Sequence, residues 1–483
     1  MRIVEIANCL AAGKVSSVEL TKHYLNAIGS GETLGAFITV TAEKALSDAR
    51  ASDERRAKGE ARGILDGIPC AIKDNMTTKG IRTTCASHML ESYVPFYDAF
   101  AWKRLENAGA ILLGKCNMDE FAMGSTTETS AFGAARNPVD ERYVPGGSSG
   151  GSAVAVAAGQ AVYALGSDTG GSIRQPASFC GISGLKPTYG RVSRNGLIAY
   201  GSSLDQIGPL CRYAEDLQPV FAALSAHDSD DMTSLQVPVR SLAQRKNLTG
   251  TTIGIVREMI DNCSPDVSQA IASAVDQLCR LGAVVREIEI PILQYSLPSY
   301  YVIACAEAAS NLNRYDGIRY GVPVEEYSTI GDMIRRTRTQ RFGKEVQRRI
   351  MLGNFVLSAG YFDAYYGKAQ AVRKNLKKQF AQALEQVDYI VSPVTPVSGI
   401  RFGEHMTPVE VYQTDINTVP ANLTGLPAVS VPCGKDRNGL PIGMQMMGRA
   451  CMDEELIQIA AMFERSTEYQ YAGKNEIGVD FNV

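Results

Sequence analysis

Histidine is scarce in this chain of 483 residues: there are four, His23, His88, His227 and His405. None stands at metal-ligand spacing from another, and no H-E-x-x-H or Cys/His cluster occurs. A zinc centre and a histidine base are both disfavoured. The 11 cysteines are scattered from Cys9 to Cys451 without a single C-x-x-C. An odd number spread through a large chain fits reduced thiols rather than a disulfide framework. An excess of one charge sign is also missing: 48 Lys and Arg face 51 Asp and Glu, a net charge of −3. A near-neutral surface does not coat nucleic acid or an anionic membrane, so any such contact is a local patch. Long apolar runs are absent too. The best, Ala153 to Leu165, is broken by Gly159 and Gln160 and is too short to span a bilayer. The opening MRIVEIANCLAAGKVSSVEL carries Glu5 and Asn8 inside its apolar stretch, which spoils a signal-peptide core. These absences predict a cytoplasmic chain with no membrane segment and no metal.

What is present is a globular composition, 45% hydrophobic and 20% charged, with 45 glycines gathered in clusters. Residues 1–60 read as a helical, polar layer in which Ser16 and Glu19 form a capping box. They end in the charged stretch SDERRAKGEAR. From Ile64 short apolar runs such as IPCAI and AILLGK alternate with helical stretches and glycine turns, the texture of an α/β fold. Further on, TTIGIV and AVVREIEI predict strands. Between them a helix begins at Ser264-Pro265 and closes near Gly282. Residues 300–380 predict a helical excursion. DYIVSPVTP and LPAVSVPCG read as strands, and MDEELIQIAAMFER as an amphipathic helix. No repeat or Pro/Ser-rich linker divides the chain. The expectation is one domain over 1–483, with a core at 61–230 and a large mixed sheet covered by helices on both faces.

The chemistry concentrates in two glycine clusters, VPGGSSGGSA and LGSDTGGSIRQPA. Apolar residues between them argue against a flexible linker. A phosphate loop is disfavoured because neither G-x-x-x-x-G-K-[ST] nor G-x-G-x-x-G occurs. The competing reading is a serine nucleophile at Ser172. The amides of Thr169, Gly170, Gly171 and Ser172 would then form an anion-binding concavity. A serine needs a base. With histidine nearly absent, the base is a lysine neutralised by burial. Lys73 follows the apolar run IPCAI, and Lys186 in GLKPT has similar credentials. Position alone does not choose between them. Asp168 and Arg174 flank the nucleophile and are expected to fix its loop through a charge-assisted bond.

Taken together, IPCAIKDN, PGGSSGGSA and GSDTGGSIRQPASFCG resemble the amidase signature family, in order and in spacing, over about residues 15–465. The resemblance implies that family's fold and a Ser-cisSer-Lys triad. Ser172 is the implied nucleophile, Ser148 the bridging serine on a cis peptide bond, and Lys73 the terminal base. Thr169, Gly170 and Gly171 are the implied oxyanion hole. Downstream, ACAEAASNLNRYDGIRYG, FGKEVQRRIMLG, LSAGYFDAYY and NLTGLPAVSVPCG resemble one branch of the family, the A subunits of glutamyl-tRNA(Gln) amidotransferases. That likeness implies glutamine as ammonia donor, with Arg349 on its α-carboxylate and Asp415 on its α-ammonium.

It also implies a heterotrimer with the B and C subunits of the amidotransferase. Contact with tRNA would run mainly through the B subunit, which uses ATP and magnesium, and this chain itself would hold no cofactor. Read without the resemblance, Arg349 is one of seven Lys or Arg among residues 335–349, a run that usually marks a solvated face. The rest of that run is expected to face a partner subunit or solvent. The segments GSTTETS and VSPVTPVSG depart slightly from the branch's commoner forms, and they are expected to line the substrate pocket. A stand-alone hydrolase of another amide is the alternative. A nonenzymatic scaffold is disfavoured by the intact Lys73, Ser148 and Ser172.

Overall fold

A computed structural model describes residues 1–469. Among these residues eleven strands form one mixed sheet. They are β1 (Phe37–Val40), β2 (Pro69–Lys73), β3 (Ile111–Cys116), β4 (Tyr163–Asp168), β5 (Ser183–Lys186), β6 (Gln206–Cys211), β7 (Thr252–Val256), β8 (Val284–Ile288), β9 (Tyr389–Pro393), β10 (Ala428–Lys435) and β11 (Pro441–Met447). Their order is β1-β3-β2-β4-β6-β5-β10-β11-β9-β7-β8. Two parallel wings, β3-β2-β4 and β9-β7-β8, flank an antiparallel centre.

Successive side chains on a strand face opposite sides of a sheet. Accordingly Val391 and Met446 join one buried apolar cluster, while their neighbours Ile390 and Met447 join another. Both faces are therefore covered, and strands such as β2, β3 and β4 are buried along their whole length rather than alternately, with their few polar residues, Lys73, Lys115, Ser167 and Asp168, at or near their carboxyl ends.

The amino-terminal layer differs from the helical expectation. Helices Ile3–Ala11, Ser17–Ser30 and Ala42–Ala57 are present, but β1 lies between the last two and pairs antiparallel with β3 at the sheet edge. FITV is too short and too half-buried to give a clear strand period. The capping box is formed: Glu19 N–H donates to Ser16 Oγ at 3.1 Å and Ser16 N–H to Glu19 Oε2 at 2.8 Å. The helix Pro265–Arg280 begins behind Ser264, whose side chain makes no capping bond. The region expected as a helical excursion contains helices Ser296–Asn311, Ile330–Arg341, Lys344–Leu357 and Lys368–Gln386. All 11 cysteines are free, and among the described residues no helix is long and apolar enough to cross a membrane.

Candidate active site

The neighbouring parallel strands β2 and β4 end side by side, with Ile72 in register with Leu165. Loops leaving the carboxyl ends of parallel strands are where such sheets present reactive groups. Lys73 is the last residue of β2 and Asp168 the last of β4, and Ser172 sits in the turn after β4. Ser148 precedes the wholly buried helix Gly150–Ala157, and the Gly147–Ser148 peptide bond is cis.

Lys73 and Ser148 are fully buried, and Ser172 is 8% exposed. Lys73 Nζ lies 2.7 Å from Ser148 Oγ, 2.9 Å from Ser149 Oγ and 3.0 Å from Ser167 Oγ. Among the described residues no carboxylate touches it. Burial pushes its amine down to about 7, although the more distant Asp119, Asp168 and Asp205 pull it upward. Lys186 is lowered to the same range by burial, but its ammonium donates to the carbonyl of its neighbour Pro187 at 2.8 Å and meets no serine. Geometry thus separates two lysines that sequence position left level. Ser172 is tied to this group through the backbone: Ser149 N–H donates to Ser172 O at 3.1 Å. Among the described residues its hydroxyl makes no hydrogen bond, so the Ser148–Ser172 contact is the open link of the expected relay.

The nucleophile turn is held from behind. Arg174 and Asp168 are fully buried and form a two-pronged pair, Nε to Oδ2 and Nη2 to Oδ1, each at 3.0 Å. Asp168 also accepts from the amides of Gly171 at 2.9 Å and Ile173 at 3.1 Å. This corrects the expectation for Gly171: its N–H turns inward to Asp168 and is not offered to a substrate oxygen. The amides of Thr169, Gly170 and Ser172 donate to no protein acceptor among the described residues, and they remain as the candidate oxyanion donors. Thr169 is fixed by its hydroxyl, which donates to Asp205 at 2.6 Å. Gly171 has φ +136°, and a Cβ there would stand 2.4 Å from Thr418 Oγ1. Only glycine fits that crossing. The Thr418 hydroxyl lies 2.5 Å from the Gly170 carbonyl and 3.0 Å from that of Asp415, which joins the nucleophile turn to the segment carrying Asp415.

Arg349 does not belong to a solvated face. It is 3% exposed, within 5.2–5.6 Å of the rings of Tyr200, Tyr301 and Tyr412. Its Nε donates to Glu345 Oε1 at 2.8 Å and Nη1 to the Tyr200 hydroxyl at 2.6 Å, while Nη2 has no partner among the described residues. Asp415 is 7% exposed and accepts from Tyr301 at 2.8 Å and from Ser125 at 3.2 Å. Burial raises its carboxyl to about 7 against the pull of Tyr301, Arg349 and Ser125. Tyr301 stacks on Tyr412 at 4.0 Å and so links the cation's cage to the anion.

A cavity of about 480 Å³ opens here, lined by Ser125, Thr126, Glu345, Arg349 and Tyr412 among others. Gly124, Ser125, Thr126, Glu128 and Thr129 of GSTTETS line this cavity, whereas no residue of VSPVTPVSG does; Ile400 just beyond it does. The remaining basic run divides. Arg338 caps the carbonyls of Leu312 and Tyr315 and Arg341 pairs with Glu91, while Arg335 stays exposed.

Sequence reasoning missed Ser149, Ser167 and Asn75 around the lysine, and Ser125, Tyr301 and Glu345 around the charged pair. Glu345 had a signal in its i,i+4 spacing to Arg349. The others are placed by tertiary contact. Among the described residues no group of three His, Cys, Asp or Glu is arranged to hold a metal ion.

The amidase family profile matches residues 19–457. The chain belongs to the amidase family. Within it, this amidase is 50% identical over 472 residues to the A subunit of the glutamyl-tRNA(Gln) amidotransferase of Thermosynechococcus vestitus, covering 97% of this chain and 98% of that one. It is 47% identical over 484 residues to the chain of the same name from Agathobacter rectalis, with 98% and 96% covered. Among solved structures, the A subunit of the Thermotoga maritima glutamyl-tRNA(Gln) amidotransferase superposes with a TM-score of 0.79 at 41% identity, covering 95% of this chain and 93% of that one. The native peptide amidase of Stenotrophomonas maltophilia does so with 0.82 at 30%, covering 98% of each.

Proposed function

We propose that this amidase is the glutaminase subunit of a cytoplasmic, tRNA-dependent amidotransferase. The observation that carries the reading is a buried lysine amine, paired with no carboxylate among the described residues, 2.7 Å from Ser148 and beside the turn that presents Ser172. Neutral Lys73 takes the proton of Ser148, Ser148 takes that of Ser172, and Ser172 Oγ attacks the carboxamide carbon of glutamine. The tetrahedral oxyanion is met by the free amides of Thr169, Gly170 and Ser172. The protons return along the same path to the leaving nitrogen, which departs as ammonia. Water then cleaves the glutamyl ester and releases glutamate. Arg349 offers Nη2 to the α-carboxylate, and Asp415 takes the α-ammonium.

The near-full-length identity to chains named as A subunits of glutamyl-tRNA(Gln) amidotransferase supports the wider assignment. The B subunit activates Glu-tRNA(Gln) with ATP and magnesium, the C subunit completes a heterotrimer, and the ammonia produced here converts the activated ester to Gln-tRNA(Gln). The test is trapping. Acid quench after incubation with labelled glutamine is expected to leave label on Ser172. A Ser172→Ala variant that releases ammonia at the wild-type rate overturns the mechanism.

A further inference from the structure

An oxyanion hole works only if its amides already point at the place where charge will develop. The turn that carries these amides is poorly suited to holding itself. Two of its first three residues, Gly170 and Gly171, have no side chain to anchor and a wide choice of backbone conformations. Thr169 is the one member of 169–171 that can be fastened by its own side chain.

It is fastened where the sheet ends. Asp168, the last residue of β4, faces Gln206, the first of β6, in the antiparallel ladder. One step further along the same register Thr169 meets Asp205, and its hydroxyl donates to Asp205 Oδ1 at 2.6 Å. Asp205 is 2% exposed. Burial raises its carboxyl to about 6 against the pull of Thr169, Gly201, Arg194 and Tyr200, so at neutral pH it is ionised and can only accept. The direction of the Thr169 bond is thereby fixed. Asp205 is itself held by the next turn, accepting from Tyr200 N–H on Oδ2 and from Gly201 N–H on Oδ1, each at 3.0 Å. Both of its oxygens are taken up by these three donors, so it acts through its neighbours.

We propose that Asp205 is a positioning residue for the reaction: by gripping the Thr169 hydroxyl it sets the amides of Thr169 and Gly170 toward the oxyanion. Without that grip, the glycines that follow leave the amides free to turn away. This rests on the attack by Ser172 in the proposed mechanism, and the experiment separates the two.

Ammonia release from glutamine and from propionamide by the full chain is measured for wild type, Thr169→Val, Thr169→Ser, Asp205→Ala and the double variant Thr169→Val/Asp205→Ala, with Ser172→Ala beside them. Valine keeps the shape of threonine and loses the hydroxyl. In Thr169→Val, kcat is expected to fall at least about tenfold on both amides, part of the roughly 10²–10³ that one oxyanion donor supplies. KM should stay within about twofold for each, the mark of an interaction made only in the transition state. Thr169→Ser keeps the hydroxyl and lacks the methyl, and it should be at least about fivefold faster than Thr169→Val. If packing of the methyl were what mattered, serine would be the slower of the two. Asp205→Ala should lose at least as much kcat as Thr169→Val, and the double variant should lose no more than about twofold beyond Asp205→Ala, because the two groups act as a unit. The Thr169 pair carries the test if Asp205→Ala does not fold. Wild-type kcat in Thr169→Val, a loss confined to glutamine, Thr169→Ser no faster than Thr169→Val, or losses that multiply in the double variant overturn the positioning role. Activity retained in Ser172→Ala overturns the mechanism itself, whatever the Thr169 variants do.

Discussion

Arg174→Met is expected to destabilise this amidase by about 3–5 kcal/mol, the range for removing one partner of a buried ion pair. A guanidinium has five N–H groups, and each of those on Arg174 meets its own acceptor. Two reach Asp168, and the others reach the Thr418 carbonyl at 2.9 Å, Gln445 Oε1 at 2.9 Å and Asn422 Oδ1 at 2.7 Å. Methionine fills much of the volume but leaves the Asp168 carboxylate buried with only neutral donors. Burial alone would raise that carboxyl. The Arg174 charge and hydrogen bonds, helped by Asn422, outweigh it and hold Asp168 well below the usual carboxylate range.

The sign of the pH dependence follows. A carboxyl lowered in the folded state contributes stability above its unfolded pKa near 3.9 and loses that contribution as pH falls toward the folded value. The gap between wild type and Arg174→Met should therefore be widest above about pH 4 and close in more acid solution. Urea unfolding followed by circular dichroism reads the loss. Asp168→Asn combined with Arg174→Met removes the stranded charge and should recover at least about 1 kcal/mol over the single variant. A loss below about 1 kcal/mol for Arg174→Met, or no recovery in the double variant, refutes the reasoning.

Other expectations concern catalysis. With Lys73 near 7 and active only as the neutral amine, kcat on a neutral amide such as propionamide should rise through about pH 7 to a plateau; a flat profile from pH 5 to 9 counts against the buried base. Asp415, raised to about 7, must also ionise to hold an α-ammonium. Below pH 7, log kcat/KM for glutamine should therefore fall with a slope of about two, against about one for propionamide. Equal slopes remove Asp415 from the glutamine contact. Arg349→Ala should raise KM for glutamine at least about tenfold, the value of one charge-assisted contact, with propionamide hydrolysis unchanged; parallel losses on both would reject the glutamine assignment. Gly147→Ala places a Cβ 2.1 Å from Asp119 Oδ2 and 2.7 Å from the Thr126 amide nitrogen. Asp119 cannot yield easily, because Thr127 N–H and the Thr129 hydroxyl pin its carboxylate. A thermal melt should show a loss of about 1–3 kcal/mol, and activity should fall with the displaced Ser148.

The lysine at the end of β2 was legible because IPCAI is an apolar run long enough to be a buried strand. The α/β character and both helical layers were legible from the same alternation of apolar runs and helical periods. The edge strand β1 was not, because four residues between two helices carry little period. Gly171 was misassigned for a local reason: Asp168, three residues upstream, captures its amide. That competition depends on the turn's conformation and leaves no mark in the glycine pattern. Arg349 lay hidden in a basic run until the resemblance singled it out. The three tyrosines that enclose it come from separate segments of the chain. Ser167 reaches the lysine because β2 and β4 are neighbours in the sheet, a pairing no local pattern announces.

The acceptors of Arg174 carry a consequence for synthesis. Thr418, Asn422 and Gln445 lie 244, 248 and 271 residues further along the chain. At translation rates of roughly 5–20 residues per second, a nascent chain that has already made its reactive serine waits on the order of tens of seconds for the groups that brace it. An unfinished polypeptide on the ribosome therefore carries the parts of a hydrolase in a disarmed form, and a message truncated before its last tenth yields a product that consumes no glutamine.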